Sequence, residues 1–337
     1  MKSVFQSPRE EHPFAAYVRI LGKGKSGSRS LSAAEAETAF SMLLSGQVES
    51  VQLGAFLMLL RVKEESPEEI AGFVRACRTY WQNAVVPESV DLDWSSYAGK
   101  KSQQSWYLLS ALLLAENGIR VLMHGADGHT EGRVYSEQLL VELGIEPAQD
   151  LQDAKQKLAQ LNFAWLPLRN FCPPLHDIMQ LRYLLGLRSP VNTLARLLNP
   201  MAAPYSIQSV FHPAYAEIHR CAEELLGQRH MLVFKGEGGE VEIKPHATTH
   251  CLRIHGGIHE SFFWPRSLAE KPAVSPTLSA APLRALWRGE DADNYGTMAV
   301  IHTCASALLL MDRARTSGDA LQLADSWWRK RNKDRFQ

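Results

Sequence analysis

The first 80 residues carry two well-marked helix starts. Ser32-Ala33-Ala34-Glu35 is a capping box, and the apolar residues that follow it recur at helical spacing. Ser66-Pro67-Glu68-Glu69 combines an N-cap serine, a proline at the first helical position and a carboxylate at the third. Between these two starts, Val51–Arg61 is a dense apolar stretch of helical length. We therefore expect residues 1–80 to form a small all-α domain, an N-terminal helical bundle.

Beyond residue 80, helical patterns alternate with short apolar runs. Helices are predicted at Leu108–Ala115, Glu137–Leu143, Asn294–Arg313 and from Ser317 onward. Buried strands are predicted at Ile119–Met123, Phe163–Leu166 and Met231–Phe234. This alternation is typical of an α/β domain in which helices flank a central, mostly parallel sheet.

The expected domain limits follow from the place where the helical pattern returns. Residues 173–198 are helical again and are predicted to rejoin the N-terminal bundle. The α/β domain would then comprise residues 81–172 and 199–337. Ser267–Ala285 contains three prolines and is predicted to be a long surface connection.

The composition excludes several classes of protein. Apolar residues make up 45% of the 337, enough to bury a sizeable core. No apolar run approaches the ~20 residues of a membrane-spanning helix, and residues 1–13 lack the apolar core of a secretory signal. The five cysteines are scattered, with no CxxC pair, which argues against a disulfide scaffold or a cysteine zinc site. We expect a cytoplasmic protein that does not bind membranes.

The charges balance overall but not along the chain. Lys plus Arg and Asp plus Glu each total 36. Residues 12–34 and 178–216 contain no acid, and the only charges between Asp93 and Glu116 are Lys100 and Lys101. If these segments converge in the fold, they form a positive basin that attracts phosphate groups; otherwise they are separate solvated loops.

Several short motifs follow one another in an order that resembles a known family. They are Gly54–Met58 and Ser66–Gly72, Val121–Gly125, Arg182–Asn192 with Asn199-Pro200, and Lys235–Glu242. This series resembles glycosyltransferase family 3, the phosphoribosyltransferases that include anthranilate phosphoribosyltransferase and their pyrimidine nucleoside phosphorylase relatives. The resemblance implies the nucleoside phosphorylase/phosphoribosyltransferase-like fold. It also places Arg182 where the family binds its aromatic acid, although a structural ion pair is the equal alternative.

The chain departs from that family where diphosphate and metal are held. The family's Gly-Thr-Gly-Gly-Asp loop corresponds here to Tyr97-Ala98-Gly99-Lys100-Lys101, which keeps one glycine and loses the acid. Glycine-rich backbone N–H groups cradle phosphate and carboxylates hold its Mg²⁺, so both tasks are affected. Of the metal-binding Asp-Glu pair only Glu242 remains, since Val241 takes the other position. The residues of the former diphosphate region are Tyr97, Ala98, Gly99, Gln103, Ser105, His124 and Gly125.

The loop sequence is most similar to the divergent YbiB-type branch of the family. That resemblance implies a homodimer, formed through the helical domain, that lacks the transfer reaction and binds single- or double-stranded nucleic acid through basic surface. A lysine gives a point charge but cannot bridge leaving-group oxygens as Mg²⁺ does, so the transfer reaction is expected to be absent. Without that reaction, no cofactor is expected. The candidate phosphate contacts are Lys100, Lys101, Lys235, Lys244, Arg253, Arg182, Arg329, Lys330 and Arg331. The aromatic residues that would either stack on bases or belong to the core are Trp106, Tyr107, Trp327 and Trp328.

Two other functions stay open on the sequence alone. The chain could be an active transferase that uses phosphoribosyl pyrophosphate, an unknown acceptor and Mg²⁺ on Glu242. It could instead be an adaptor that docks a protein partner on the acidic segment Glu64–Glu69. A metal site made by the clustered histidines His246, His250, His255 and His259 is not expected, because strand alternation puts His250 and His255 on opposite faces.

Overall fold

The computed structural model describes residues 10–24, 26–81, 90–126, 128 and 130–336. The chain begins with four helices: α1 (Ala15–Gly22), α2 (Ala33–Leu44), α3 (Ser50–Lys63) and α4 (Pro67–Trp81). The predicted capping box is present, because the Ser32 hydroxyl accepts the Glu35 N–H and the Glu35 carboxylate accepts the Ser32 N–H. Residues 1–9 of the predicted helical domain lie outside the described residues.

A seven-stranded sheet forms the centre of the larger part of the molecule. Its strands are β1 (Leu92–Ser96), β2 (Val121–Gly125), β3 (Phe163–Pro167), β4 (Tyr205–Val210), β5 (His230–Lys235), β6 (Thr249–His255) and β7 (Ile258–Trp264). Their spatial order is β3-β2-β1-β4-β5-β6-β7. Strands β1 to β5 are parallel, whereas β6 and β7 pair antiparallel at one edge. The predicted α/β class with a mostly parallel sheet is confirmed.

The remaining helices flank this sheet. They are α5 (Tyr107–Glu116), α6 (Ser136–Glu142), α7 (Leu151–Leu161), α8 (Leu168–Phe171), α9 (Pro173–Gln180), α10 (Arg182–Leu185), α11 (Val191–Leu194), α12 (Tyr215–Leu225), α13 (Ala280–Arg288), α14 (Asn294–Leu310) and α15 (Ser317–Lys330). Side chains of α9 and α11 belong to the same hydrophobic cluster as those of α2 to α4. Within the described part of the chain, none of the helices is long and apolar enough to cross a membrane.

The two faces of the sheet belong to two different hydrophobic cores. Trp94, Met123 and Trp165 pack with α5 and α14 on one face. Leu122 and Leu166 lie on the other face, in the cluster that includes the helical bundle. Since successive side chains of a strand point to opposite faces, a sheet covered on both sides needs apolar residues at nearly every position.

The structure differs from the sequence-based expectation at several elements, among them three strands and one loop. Strand β7 was not predicted. Strands β1 and β4 were not predicted, because buried polar residues such as Asp93 and Gln208 interrupt their apolar pattern. The predicted surface connection ends before Ala285, since α13 begins at Ala280. Pro282 lies in the first turn of α13, where its missing N–H removes no helical hydrogen bond.

Candidate functional site

The carboxyl ends of the parallel strands meet at one edge of the sheet. The loop Tyr97–Gly99 leaves β1 there, Gly125 ends β2, and Gly236–Glu242 follows β5. Ligands of open α/β sheets bind at this edge, because loops from several strands converge on it. The loop that corresponds to the family's diphosphate loop is therefore placed where a substrate would be expected.

A carboxylate from within the chain occupies the amides of this loop. Glu240 Oε1 accepts hydrogen bonds from the N–H groups of Ala98 at 2.7 Å and Gly99 at 2.6 Å. Its Oε2 accepts the Ser96 hydroxyl at 2.8 Å. Gly99 has φ +67°, so that successive N–H groups turn toward one point, as in the backbone nests that bind anions. The anion held by this nest is the Glu240 side chain itself, which is fully buried.

Two arginines tie the carbonyl groups of the same loops together. Arg133 Nη1 donates to the carbonyl oxygens of Ala98 at 3.0 Å, Gly99 at 2.8 Å and Gly238 at 3.2 Å. Arg196 Nη1 donates to the carbonyl oxygens of Ser209 at 2.8 Å and Gly239 at 3.0 Å. The Ala98 and Gly99 amides and the carbonyl groups of Ala98, Gly99, Gly238 and Gly239 are therefore paired within the chain.

Lys100 is not a surface cation, which corrects the sequence-based expectation. Its Nζ lies 2.7 Å from Glu242 Oε1, and both side chains are 1% exposed. Glu242 Oε2 accepts the backbone N–H of Tyr107 at 2.9 Å, at the start of α5. Burial raises the pKa of Glu242, while the Lys100 ammonium and the Tyr107 N–H act in the opposite direction. Lys100 and Glu242 thus neutralise each other inside the protein.

These acids, as placed, do not fit a divalent metal ion. A Mg²⁺ site needs carboxylate oxygens that are free to enter its octahedral shell. Each carboxylate oxygen of Glu240 and Glu242 is already engaged by an N–H, a hydroxyl or the Lys100 ammonium. The expected metal ligand Glu242 therefore serves here as the counter-charge of Lys100.

A second buried polar group lies behind the loop. His124 Nε2 lies 3.2 Å from Asp93 Oδ1, and the Tyr97 hydroxyl lies 2.8 Å from His124 Nδ1. Gly125 follows in close contact with β1, since a Cβ atom there would lie 2.0 Å from the Ser96 carbonyl oxygen. Tyr97, His124 and Gly125 thus hold the ends of β1 and β2 together rather than facing an open pocket.

Three lysines surround the mouth of this region. Lys101, Lys235 and Lys244 line a cavity of about 320 Å³ together with Arg133, and the half-buried Glu237 is the one acid among its lining residues. Burial lowers the pKa of Lys244, while Glu237 opposes this effect and the neighbouring Lys235 adds to it. Among the described residues, no carboxylate lies within 4.0 Å of these three ammonium groups. We call Lys101, Lys235 and Lys244 the lysine rim.

The other predicted cations do not join the lysine rim. Arg253 pairs with Glu260 across β6 and β7, with 2.7 Å between Nε and Oε2. Arg331 donates to the carbonyl oxygens of Trp287, Trp328 and Leu286 and lies 3.6 Å above the Trp328 ring. These contacts correct the expectation that Arg253 and Arg331 are free for phosphate.

The basic C-terminal segment lies away from the lysine rim. Arg329 pairs with Asp325 one turn earlier in α15, and Lys330 is exposed. The backbone N–H of Asn332 donates to Glu116, the last residue of α5. At the first residue of α5, the Tyr107 N–H donates to Glu242, the acid that pairs with Lys100. A helix of 10 residues is about 15 Å long, so the tail and the loop lie at opposite ends of α5.

The predicted stacking residues and glutamines are mainly internal. Trp106, Tyr107 and Trp328 are at most 5% exposed and belong to the core, and the half-buried Trp327 packs against it. Gln103 and Gln104 are buried and donate to the carbonyl oxygens of Ala273 and Thr277, which fastens the connection between β7 and α13 over the loop. Ser105 is buried at the start of α5.

An arginine cluster lies in the cleft between the helical bundle and the sheet. Arg182 and Arg188 both donate to the Thr130 hydroxyl. Burial and the nearby arginines, Arg133 first, lower the pKa of Arg188 to about 10. Arg188 also lines a cleft of about 430 Å³ with Asn192. The sequence analysis named Arg182 as a candidate and not Arg188, although both lie in the motif Arg182–Asn192.

Sequence reasoning also missed Glu240 and Arg133. Glu240 lies two residues before Glu242, and only the fold shows that its side chain turns into the loop after β1. Arg133 follows residues with no regular pattern, so nothing in the sequence connected it to Ala98.

The acidic segment and the histidine cluster are both split by the fold. Glu65 and Glu69 are buried, so the predicted adaptor surface presents only Glu64 and Glu68. The four histidines turn to different partners, which are Tyr295 for His246, Phe263 for His250, Asp312 for His255 and Glu224 for His259. They do not form one site.

The two parts of the chain match two family profiles in succession. Residues 17–80 match the helical bundle domain of a glycosyl transferase family, and residues 103–330 match the α/β domain of the same family. The order agrees with the helices and sheet described above.

Curated relatives of two kinds are similar to this chain. The uncharacterized protein YbiB of Escherichia coli K12 is 31% identical over 234 residues, which cover 68% of this chain and 72% of YbiB. The anthranilate phosphoribosyltransferase of Shouchella clausii is 29% identical over 323 residues, which cover 90% of this chain and 93% of that enzyme.

Solved structures show the same fold over nearly the whole chain. Anthranilate phosphoribosyltransferase from Thermus thermophilus superposes with a TM-score of 0.76 at 25% identity, covering 93% of this chain and 94% of that one. The enzyme from Saccharomyces cerevisiae in complex with PRPP and Mg superposes with a TM-score of 0.79 at 18% identity, covering 97% of each chain.

Proposed function

The chain belongs to glycosyltransferase family 3, the family of anthranilate phosphoribosyltransferase. Within this family, we propose that it is a non-catalytic member that binds nucleic acid. The proposal rests on one observation. The places that would hold a diphosphate and its metal are filled by the chain's own Glu240 and Lys100. An enzyme of this kind would have to displace two buried, hydrogen-bonded charges before it could bind its substrate.

Loop amides and metal-binding carboxylates that are no longer free matter for catalysis, because a pyrophosphate leaving group needs preorganised charge. Removing one such donor in other enzymes costs about 10²–10³ in rate. Here the carboxylate of Glu240 would also repel any phosphate that approached the amides of Ala98 and Gly99. We therefore propose that the transfer reaction has been lost while the fold has been kept.

The lysine rim supports the proposed nucleic-acid binding. Its three ammonium groups surround the filled loop, with Glu237 in the same lining but no carboxylate within 4.0 Å among the described residues, so they can neutralise phosphates from solvent. Such contacts act on the backbone and carry little sequence information. Binding would then be broad in sequence and sensitive to salt.

A salt titration tests this proposal. We expect the double variant Lys101→Ala/Lys235→Ala to flatten the log–log slope of affinity against salt by about 1.4–1.8 units, because each phosphate contact contributes about 0.7–0.9. The measurement is fluorescence anisotropy with a labelled single strand and a labelled duplex of the same length. Lys330→Ala is the matched control, since Lys330 is exposed at the opposite end of α5.

Two results would contradict the proposal. One is a slope that stays the same in the double variant, which would remove the lysine rim from the binding surface. The other is the absence of any salt-dependent binding in the unmodified protein. A loss in Lys330→Ala as large as that in the double variant would move the contact to the C-terminal segment.

The second candidate function is an active transferase, favoured by the arginine cluster. Arg188 is half-buried in a cleft of about 430 Å³, and no carboxylate among the described residues lies within 4.0 Å of it. A guanidinium in such a place is suited to a carboxylate or phosphate ligand. Calorimetric titration with phosphoribosyl pyrophosphate and Mg²⁺ separates the two functions. Metal-dependent micromolar binding would favour the enzyme and would contradict a filled diphosphate site.

We also propose that the chain forms a homodimer through the helical bundle. Val51, Ala55, Met58 and Val62 recur at helical spacing along α3, and Val51 and Val62 are 78% and 84% exposed. Ala55 and Met58 between them are half-buried, and an apolar stripe that is exposed at both ends of a helix is typical of an interface. We call these four residues the α3 stripe.

A further inference from the structure

A cluster of metal-ligating side chains lies away from the loops Tyr97–Gly99 and Gly236–Glu242 and from the lysine rim. His230, His255 and Asp312 each place one ligand atom within 4.8 Å of those of the other two. The three residues come from the start of β5, the end of β6 and the segment after α14. We propose that they form a binding site for a divalent transition-metal ion, with zinc as the best match.

The sheet fixes the relative position of the two histidines. Met231 pairs with Ile254 in the antiparallel ladder of β5 and β6, so His230 and His255 occupy the next step of the same register. Their ring centroids are 5.5 Å apart and their planes are nearly perpendicular at 83°. Gly256 and Gly257, both at positive φ, close the hairpin immediately after His255 and hold its backbone at the sheet edge. The two imidazoles are thus presented by rigid strands rather than by a loose loop.

The end of α14 supplies the carboxylate. Arg313 N–H donates to the Leu308 carbonyl and Asp312 N–H to the Leu309 carbonyl, which is the hydrogen-bond pattern of a Schellman helix end. The residue in the left-handed position of this motif is usually glycine. Here it is Asp312, with φ +56°. A carboxylate therefore occupies a backbone position that favours glycine, and it faces the two histidines.

An unsatisfied nitrogen points into this cluster. His255 Nδ1 is buried and has no hydrogen-bond partner. Its distance to Asp312 Oδ1 is 3.7 Å, which is too long for a hydrogen bond. Two ligand atoms on a tetrahedral zinc, with bonds of about 2.0–2.1 Å, lie about 3.3 Å apart. Small side-chain rotations would bring these atoms from contact distance to coordination distance.

The ligand set selects the chemical class of the ion. Two imidazole nitrogens and one carboxylate oxygen suit zinc and its neighbours in the first transition series, whereas Mg²⁺ and Ca²⁺ prefer oxygen ligands alone. The Asp312 side chain is 54% exposed, so that water can complete the coordination. The nearby cations Arg229 and Arg253 reduce the attraction, and we expect a micromolar rather than a nanomolar dissociation constant.

The cluster is separate from the proposed nucleic-acid surface. His230 begins β5 and Lys235 of the lysine rim ends it, so the two groups lie at opposite ends of a six-residue strand. An ion there would join the antiparallel edge of the sheet to the end of α14. The inference does not depend on the proposed nucleic-acid binding.

Cobalt spectroscopy and thermal denaturation test the site. Untagged full-length protein is titrated with Co²⁺ and Zn²⁺, and we expect one equivalent of Co²⁺ to give visible absorption of a four- or five-coordinate ion that Zn²⁺ abolishes. Zinc at about 100 times its dissociation constant should raise the Tm by about 4 °C. His255→Gln and Asp312→Asn should each weaken binding at least tenfold.

The matched control is His259→Gln. His259 lies on the adjacent strand, and its Nε2 is 3.3 Å from Glu224 Oε2, so it is also a histidine beside a carboxylate. We expect this control to bind the metal as the unmodified protein does. The proposal is overturned if no binding occurs below about 100 µM metal. It is also overturned if His255→Gln and Asp312→Asn, with unchanged circular dichroism, bind as tightly as the control.

Discussion

Lys100 and Glu242 form a buried ion pair whose partners come from two loops at the strand ends. Both side chains are 1% exposed and 2.7 Å apart. Removing one member of a buried pair leaves an uncompensated charge in a low dielectric, which costs about 3–5 kcal/mol. We expect Lys100→Met to lose stability of this order, and Lys100→Met/Glu242→Gln to regain much of it. Urea denaturation of the unmodified protein, Lys100→Met, Glu242→Gln and the double variant measures the interaction free energy of the pair.

The outcome for the double variant decides how the pair is understood. If the two single effects simply add, Lys100 and Glu242 do not interact, and the account of the filled metal position fails. Gln at position 242 keeps an oxygen for the Tyr107 N–H, so the helix start of α5 is preserved in this test.

Glu223 predicts a pH dependence that its own variant can isolate. The side chain is fully buried on α12 beside Gln208, and burial raises its pKa to about 7. A carboxyl whose folded pKa is raised stabilises the fold below its unfolded pKa of about 4.3, and this stability is lost as the pH rises through about 7. Relative to the unmodified protein, Glu223→Gln should therefore gain about 2 kcal/mol between pH 5.5 and pH 8.5.

The comparison of Glu223→Gln with the unmodified protein cancels other titrating groups. His219, whose pKa burial lowers to about 3, is the same in both proteins. Denaturant unfolding across neutral pH, from mildly acidic to mildly basic buffer, gives the difference directly. A difference that stays constant over this range would mean that Glu223 does not titrate near neutral pH.

Among the helices, α2 and α4 cross so closely that one glycine is required. A Cβ atom on Gly72 of α4 would lie 2.3 Å from the Ala33 carbonyl oxygen and 2.6 Å from the Ala36 Cβ. Backbone atoms cannot yield at such distances, and overpacking costs about 1–3 kcal/mol or more. We expect Gly72→Ala to lower the free energy of unfolding by about 3 kcal/mol, measured by urea denaturation.

Gly54 provides the matched control for the helix crossing. It lies inside α3, and a Cβ atom there meets nothing within 4 Å. Gly54→Ala should stabilise the chain by about 0.5–1 kcal/mol, because alanine has the higher helix propensity. Equal effects of the two substitutions would contradict the close packing of α2 on α4.

For the whole molecule, the α3 stripe predicts the oligomeric state. We expect the unmodified chain to sediment as a dimer and Val51→Asp/Val62→Asp as a monomer, because charges at the interface would be buried without partners. Val274→Asp is the matched control, since Val274 is 71% exposed on the connection before α13. A monomeric unmodified protein, or a double variant that remains dimeric, would contradict an interface on α3.

The sequence by itself determined the class of fold and the family. Capping residues such as Ser32 and apolar periodicity act over a few residues, so α2, α4, α5 and the strand β2 were predictable from their own segments. The motif order, from Gly54–Met58 to Lys235–Glu242, was likewise readable along the chain. The sequence alone also showed that the loop Tyr97–Lys101 lacks glycines and the acid of the family's diphosphate loop.

Only the tertiary structure decided which charges are available for binding. Lys100 and Lys101 are neighbours in sequence, yet Lys100 meets Glu242 inside the protein while Lys101 faces solvent. Glu240 accepts hydrogen bonds from amides that lie more than 140 residues earlier in the chain. His230 at the start of β5 lies close to Asp312, which follows α14. Burial and pairing depend on contacts between distant segments, and local patterns of charge do not encode those contacts.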